Sequence, residues 1–219
     1  MLRNKFQREL EALSQELVSM GALIERAIDD SVKALVTQDS ELCRQVISRD
    51  KEINSMTAAV ESKALKILLM QQPVASDLRL ISTALKMVTD MERIGDQAGD
   101  ICEIVLYLCA EDYEPTLDIL PQMGEIAKQM VHECIDSFVK LDTEKAQKVI
   151  ETDDSMDKLF VKLKDKMVKL IKEKPQYADQ AIYFMMVGKY FEKIGDHAEN
   201  IAEWVIFSKY GEHKSVRIL

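Results

Sequence analysis

The sequence predicts an all-α protein: two tandem antiparallel three-helix bundles of long helices, residues 1–112 and 113–219, related by internal duplication. Three observations predict it. Apolar residues recur at helical spacing almost without a break. The chain has only 7 Gly and 4 Pro, too few for the many turns of an all-β protein. The decapeptide E-R-I-G-D-Q-A-G-D-I at 92–101 returns as E-K-I-G-D-H-A-E-N-I at 192–201.

Helices are expected at 5–37, 40–70, 74–110, 116–140, 143–173 and 177–209. The first ends at Gln38-Asp39-Ser40, where Asp39 can cap the second. The second stops at Gln72-Pro73, because the residue before a proline avoids the helical region. Ala75-Ser76-Asp77 opens the third, which closes before Glu111 to Pro115. Thr116 starts the fourth, Asp142 caps the fifth, and Lys174-Pro175-Gln176 separates the fifth from the sixth. Met20-Gly21 through Asp50 aligns without a gap on Met123-Gly124 through Asp153 at an offset of 103. The offset is 102 at Pro73/Pro175 and 100 at Glu92/Glu192, so small indels fall near the second turn and in the early third helix.

At about 100° per residue, Met87, Met91, Ile94, Ala98, Ile101 and Val105 share one face of the third helix. Val187, Phe191, Ile194, Ala198, Ile201 and Val205 do the same in the sixth. These stripes are the expected core. Glu92, Asp96 and Asp100, and likewise Glu192, Asp196 and Asn200, project well away from them, onto an outer ridge or into a groove between helices. A solvated charged face is the ordinary reading of such a ridge. Two costs oppose it here: carboxylates at i, i+4 repel by about 0.2–0.5 kcal/mol a pair, and Gly95 and Gly195 each cost roughly 1 kcal/mol against Ala inside a helix. Their repetition points to a cation holding the acids, with the bare glycine leaving room for an approach. Antiparallel reversal brings Asp50 and Asn54 opposite the first ridge, and Asp153, Asp154 and Asp157 opposite the second. All-oxygen sets of this kind suit hard cations, Mg²⁺ or Mn²⁺, with iron also admissible. The candidate ligands are thus Glu92, Asp96, Asp100, Asp50 and Asn54 in one half, and Glu192, Asp196, Asn200, Asp153 and Asp157 in the other.

A buried di-iron oxidase site needs Glu-x-x-His pairs, and none of His132, His197 and His213 has Glu three residues before it. Phosphate-loop, serine-hydrolase and zinc-protease motifs are absent. His197 reads as a solvated residue, with a place in the metal shell as the alternative. Arg79, following Asp77-Leu78, is a candidate interaction residue, with plain solvation near a helix start as its ordinary reading. The methionines, Met185-Met186 included, read first as packing, although Met-rich surfaces also suit partner grooves. The net charge of −9 argues against nucleic acid. Cys43, Cys102, Cys109 and Cys134, far apart in apolar stretches, suit a reducing compartment. The charged N-terminus lacks a signal-peptide core, and no apolar run is long enough to span a bilayer, so no direct membrane insertion is expected.

The doubled motif, with Q-Q-P-V-A-S-D-L-R before its first copy at 71–79, resembles the PhoU family of phosphate-signalling proteins over about residues 6–208. The resemblance implies PhoU-like, spectrin-like bundles in a cytoplasmic accessory protein of high-affinity phosphate transport, usually a homodimer. It implies a negative regulator that meets the phosphate ABC transporter's ATPase subunit and a sensor histidine kinase, at most peripheral to the inner face of the membrane through those partners. It also implies metal clusters at the E/D-x-x-x-D positions, and no enzymatic activity. The chain departs from the pattern at Asn200, where Asp100 stands in the first copy, and at Asn54, where Asp157 stands in the second. A metal-dependent hydrolase and a metal-free structural adaptor are the competing readings.

Overall fold

A computed structural model describes residues 2–109, 118–213 and 216–217. Seven α-helices occupy the described residues: α1 (Leu2–Thr37), α2 (Ser40–Ser48), α3 (Asp50–Gln71), α4 (Ser76–Leu108), α5 (Ile119–Lys140), α6 (Thr143–Glu173) and α7 (Ala178–Tyr210). A 3₁₀ turn, Pro175–Tyr177, leads into α7, and two short strands, β1 (Glu212–His213) and β2 (Val216–Arg217), pair antiparallel after it. The expected start at Thr116 and the loop before it lie outside the described residues.

The turns carry the duplication into three dimensions. Gln38 and Leu141, 103 residues apart, both adopt left-handed backbone, with φ of 55° and 51°. Behind them Asp39 N–H donates to Ala34 O at 3.1 Å, and Asp142 N–H donates to Ser137 O at 2.9 Å. Each aspartate then accepts two amides of the next helix through one oxygen: Asp39 Oδ1 from Glu41 and Leu42, Asp142 Oδ1 from Glu144 and Lys145. A carboxylate there satisfies orphan donors and complements the helix dipole.

Two elements differ from expectation. The single helix foreseen over 40–70 is interrupted at Arg49, where the backbone tightens and the side chain reaches α1 to meet Asp30 at 2.5 Å. The terminal hairpin was not foreseen; it folds back so that the His213 ring stacks on Trp204 with centroids 3.9 Å apart. Gly211 permits that reversal with φ of 77°.

Helices α1, α4, α5 and α7 form the middle of the molecule, with α4 packed on α7 and α1 on α5. Among the described helices the α2–α3 arm leans on α1 and α4, and α6 leans on α5 and α7, so these elements are the flanks. The two foreseen stripes are the buried core, every member 0% exposed. A reciprocal contact joins the halves. A Cβ on Gly21 would stand 2.5 Å from Ile135 Cδ1, and one on Gly124 would collide with Val32, the residue 103 positions before Ile135. Each first helix thus offers its glycine to the branched side chain of the other, as a pseudo-twofold axis demands.

Candidate metal centre

The carboxylate ridges lie in grooves between a flanking helix and its long neighbour. In the first repeat the groove runs between α3 and α4. A Cβ on Gly95 would stand 2.7 Å from Ile53 Cδ1, so what approaches this glycine is the facing helix, bringing Asp50 to the level of Asp96. The sequence reading kept that room for a ligand; here packing takes it. Asn54 Nδ2 donates to Asp50 Oδ2 at 3.0 Å, and Arg93 Nη1 stands 3.4 Å from Asp96 Oδ2. Burial, then the Asp50 charge, push the Asp96 carboxyl above its ordinary range against a partial pull from Arg93. Asp100 is pushed up by burial and by Glu103 and Asp96. Glu92 is half-buried on the same ridge, one turn before Asp96.

The second repeat holds more charge. Between α6 and α7, Gly195 meets an oxygen instead of a methyl group: a Cβ there would stand 3.1 Å from Asp153 Oδ1. That oxygen is buried and has no hydrogen-bond partner among the described residues. Burial first, then Glu199, Asp196, Asp157 and Glu192, push the Asp153 carboxyl up to about 7. Glu192 pairs with Lys189, and Lys193 lies against Asp196 and 3.6 Å from Glu192 Oε2. Asn200 is half-buried one turn beyond Asp196, and Asp157 is exposed at the groove mouth, as is Asp154.

Asp50, Asn54 and Asp96 are therefore brought together in one half, and Asp153, Asp157, Glu192 and Asp196 share an electrostatic neighbourhood in the other. Among the described residues no three His, Cys, Asp or Glu side chains are gathered tightly enough to be a ready-made cage. The donor chemistry nonetheless fits a hard cation. An orphaned buried carboxylate oxygen among four other acids lacks a positive partner, and a divalent ion supplies one.

Sequence reasoning missed several members of this environment. Glu199 faces Asp153 and stands where the first repeat has Gly99; comparing the two motif copies position by position reveals it. His197 is neither solvated nor aimed at the acids of its own groove: its Nδ1 lies 2.8 Å from Asp90 Oδ1 of α4, bridging the two halves. Arg79 is likewise engaged, donating through Nε to Ser208 O at 3.2 Å and through Nη2 to Lys209 O at 3.5 Å. It closes the carbonyl end of α7, where a cation is favoured. No sequence signal announces a contact between residues so far apart.

The PhoU domain family model matches residues 17–105 and again 120–205. The chain belongs to the PhoU family. A PhoU homolog of Clostridium acetobutylicum, named as a phosphate-specific transport system accessory protein, is 35% identical over 208 residues, which is 94% of this chain and 95% of that protein. The crystal structure of PhoU from Pseudomonas aeruginosa superposes with a TM-score of 0.90 at 35% identity, covering 94% of this chain and all of that one. The phosphate transport system regulatory protein PhoU from Streptococcus pneumoniae superposes with a TM-score of 0.88 at 25% identity, covering 95% and 98%. Each of the two PhoU matches spans a complete ridge.

Proposed function

We propose that this chain is a regulatory accessory protein of phosphate uptake that works by docking, not by turnover. Its relatives carry names of accessory and regulatory proteins of phosphate-specific transport. In the finer reading it is a cytoplasmic homodimer that restrains phosphate-starvation signalling through the transporter's ATPase subunit and the sensor histidine kinase. Metal ions bind at the two ridges and order its flanks. Among the described residues no helix is long and apolar enough to cross a membrane, in keeping with action through partners.

The observation that carries the metal reading is the Asp153 oxygen, buried without a partner beside Gly195. A bound cation would supply positive charge at that oxygen and at the Asp50–Asp96 pair. In this reading Asp153 and Asp157 of α6 serve with Glu192, Asp196 and Asn200 of α7 as one ligand set, and Asp50 and Asn54 of α3 with Glu92, Asp96 and Asp100 of α4 as the other. Charge repulsion across each groove then becomes attraction, and the flanking helix is held to the middle of the molecule. Lys189 and Lys193 neutralise Glu192 and Asp196 in part, so loading the second groove requires these ammonium groups to swing aside.

Elemental analysis of purified protein, beside Glu92→Gln/Asp96→Asn and Asp153→Asn/Glu192→Gln, tests the metal. Two independent losses of bound metal are expected, one per double variant. Retention of starvation-gene repression and of co-purification with the ATPase subunit in both variants would sink the view that metal matters for regulation. Metal-dependent hydrolysis of a phosphate ester that vanishes in Glu92→Gln would replace it with an enzyme.

A further inference from the structure

The C-terminal half of α6 does not share the acidity of the chain. Residues 158–174 carry seven lysines against Asp165 and Glu173, inside a protein of net charge −9. On the solvent side of α6 and α7, Val168 is 45% exposed, Ile182 55% and Met186 42%, three large apolar side chains facing water together. Between them runs an open groove of about 320 Å³, lined by Phe160, Lys164 and Met167 of α6 and by Met185 and Lys189 of α7.

The fold does not require this chemistry. At the same register positions of the first repeat, Lys164 is Glu61, Ile182 is Ser82, Met186 is Lys86 and Val161 is Ala58. The buried positions between them keep their apolar character: Leu163 matches Val60, Met167 matches Ala64 and Leu170 matches Ile67, all in the core. At these four positions the second repeat carries a lysine and large apolar residues where the first carries small or polar ones, while the Val168 position is apolar in both, as Leu65, 51% exposed. Packing explains the conserved interior pattern and leaves the exterior difference unexplained.

We propose that this α6–α7 groove docks an acidic amphipathic helix of a partner protein, one per chain. A channel between two antiparallel helices takes the apolar edge of a third, with anchors at i, i+3, i+4 and i+7. Methionines in the lining adapt to anchors of differing shape. Lysines from both helices set the charge of the flanking positions, giving steering and a salt-sensitive affinity. The competing occupant of a basic apolar surface, an anionic bilayer, is scored by the vesicle arm of the test. Lys189 also pairs with Glu192, so the groove borders the second carboxylate ridge; the inference needs no bound metal and rests on the adaptor reading only in requiring a protein partner.

The test uses the full chain with methyl-labelled methionines, a synthetic helical peptide bearing leucines at i, i+3, i+4 and i+7 flanked by glutamates, and vesicles containing phosphatidylglycerol. The peptide should shift the methyl signals of Met167, Met185 and Met186. Ile182→Ser/Met186→Lys, which installs the residues the first repeat already tolerates, should weaken it at least tenfold with the circular dichroism unchanged. Lys164→Glu should weaken it several-fold and flatten its salt dependence. Absence of peptide binding, binding that the double variant leaves intact, or vesicle binding in place of peptide binding each overturns the inference. So does conversion of a dimer to a monomer by the double variant, which would make the groove a self-association surface. Starvation-gene repression by the double variant in cells is scored separately: with no peptide binding but intact repression, the groove reading falls and the adaptor reading stands.

Discussion

The first repeat breaks its second helix at Arg49, whereas the second repeat runs straight through the equivalent Thr152. The partners differ accordingly. Arg49 leaves its own helix to pair with Asp30 on α1, both side chains below 20% exposed, while Thr152 bonds back to Lys148 O within its own helix at 2.8 Å. Charge is redistributed in the same way along the ridges. Asn54 faces Asp157 across the duplication, Asp100 faces Asn200, Gly99 faces Glu199, and Thr89 faces Lys189. The duplication has kept the backbone, the caps and the level of the oxygen donors, and has let the charge on each position drift. A buried stripe has to interlock with its neighbours, so its residues are constrained to size and shape. A half-buried polar position needs only some compensating partner, and several solutions serve.

The largest effect should come from what both halves share, the glycine contacts of α1 and α5. Gly124→Leu and Gly21→Leu each force a side chain into Val32 or Ile135, and about 2–3 kcal/mol of stability should be lost in either case by chemical denaturation. A large asymmetry between the two would break the pseudo-twofold relation. Next is Arg49→Ala, which strands Asp30 half-buried and should cost about 2 kcal/mol, against less than about 0.5 kcal/mol for Thr152→Ala. Equal costs would show that the break at Arg49 is unconnected with the ion pair.

The grooves offer the third contrast. With its carboxyl pushed up to about 7 from an ordinary 3.8, Asp153 binds its proton more tightly in the folded protein than in the unfolded chain. Its favourable contribution is complete below pH 3.8 and is lost as pH rises through about 7, so metal-free protein should lose stability over that window. Asp153→Asn should flatten that slope and stabilise the metal-free protein at pH 7.5 by about 1–2 kcal/mol, since solvent screens part of the repulsion. Saturating Mn²⁺ should reverse the slope in the wild type, because a cation favours the ionised carboxylates. Asp96→Asn should act in the same direction in the first groove, where Asp96 is also pushed up. The smallest effect is one the halves should share: Asp39→Ala and Asp142→Ala each remove a two-amide cap and should cost about 1 kcal/mol.

The two ridges were legible in the residues because their signals are local. Carboxylates at i, i+4 define a ridge from helical spacing alone, and the duplication shows which acids correspond. The nomination of Asp50 and Asp153 needed only the antiparallel reversal at the turns, and Asp96 and Asp196 now stand in their electrostatic reach. Arg79 and His197 were misread because each is engaged by a group more than 100 residues away in sequence, through the α4–α7 contact. The purpose of Gly95 was misjudged for a related reason. A helical glycine signals close approach, but only the packed helices reveal that the visitor is Ile53 in one repeat and the Asp153 oxygen in the other.

The core stripes, the Asp39 and Asp142 caps and the repeat itself followed from residue spacing, since apolar periodicity and turn chemistry act over a few residues and survive in any single chain. Which side chains cross between the repeats was decided only when α1 met α5 and α4 met α7, because such contacts depend on distances that no local rule encodes. The charge state of Asp153 belongs to that second group: its burial and its acidic neighbours exist only after α6 and α7 have come together.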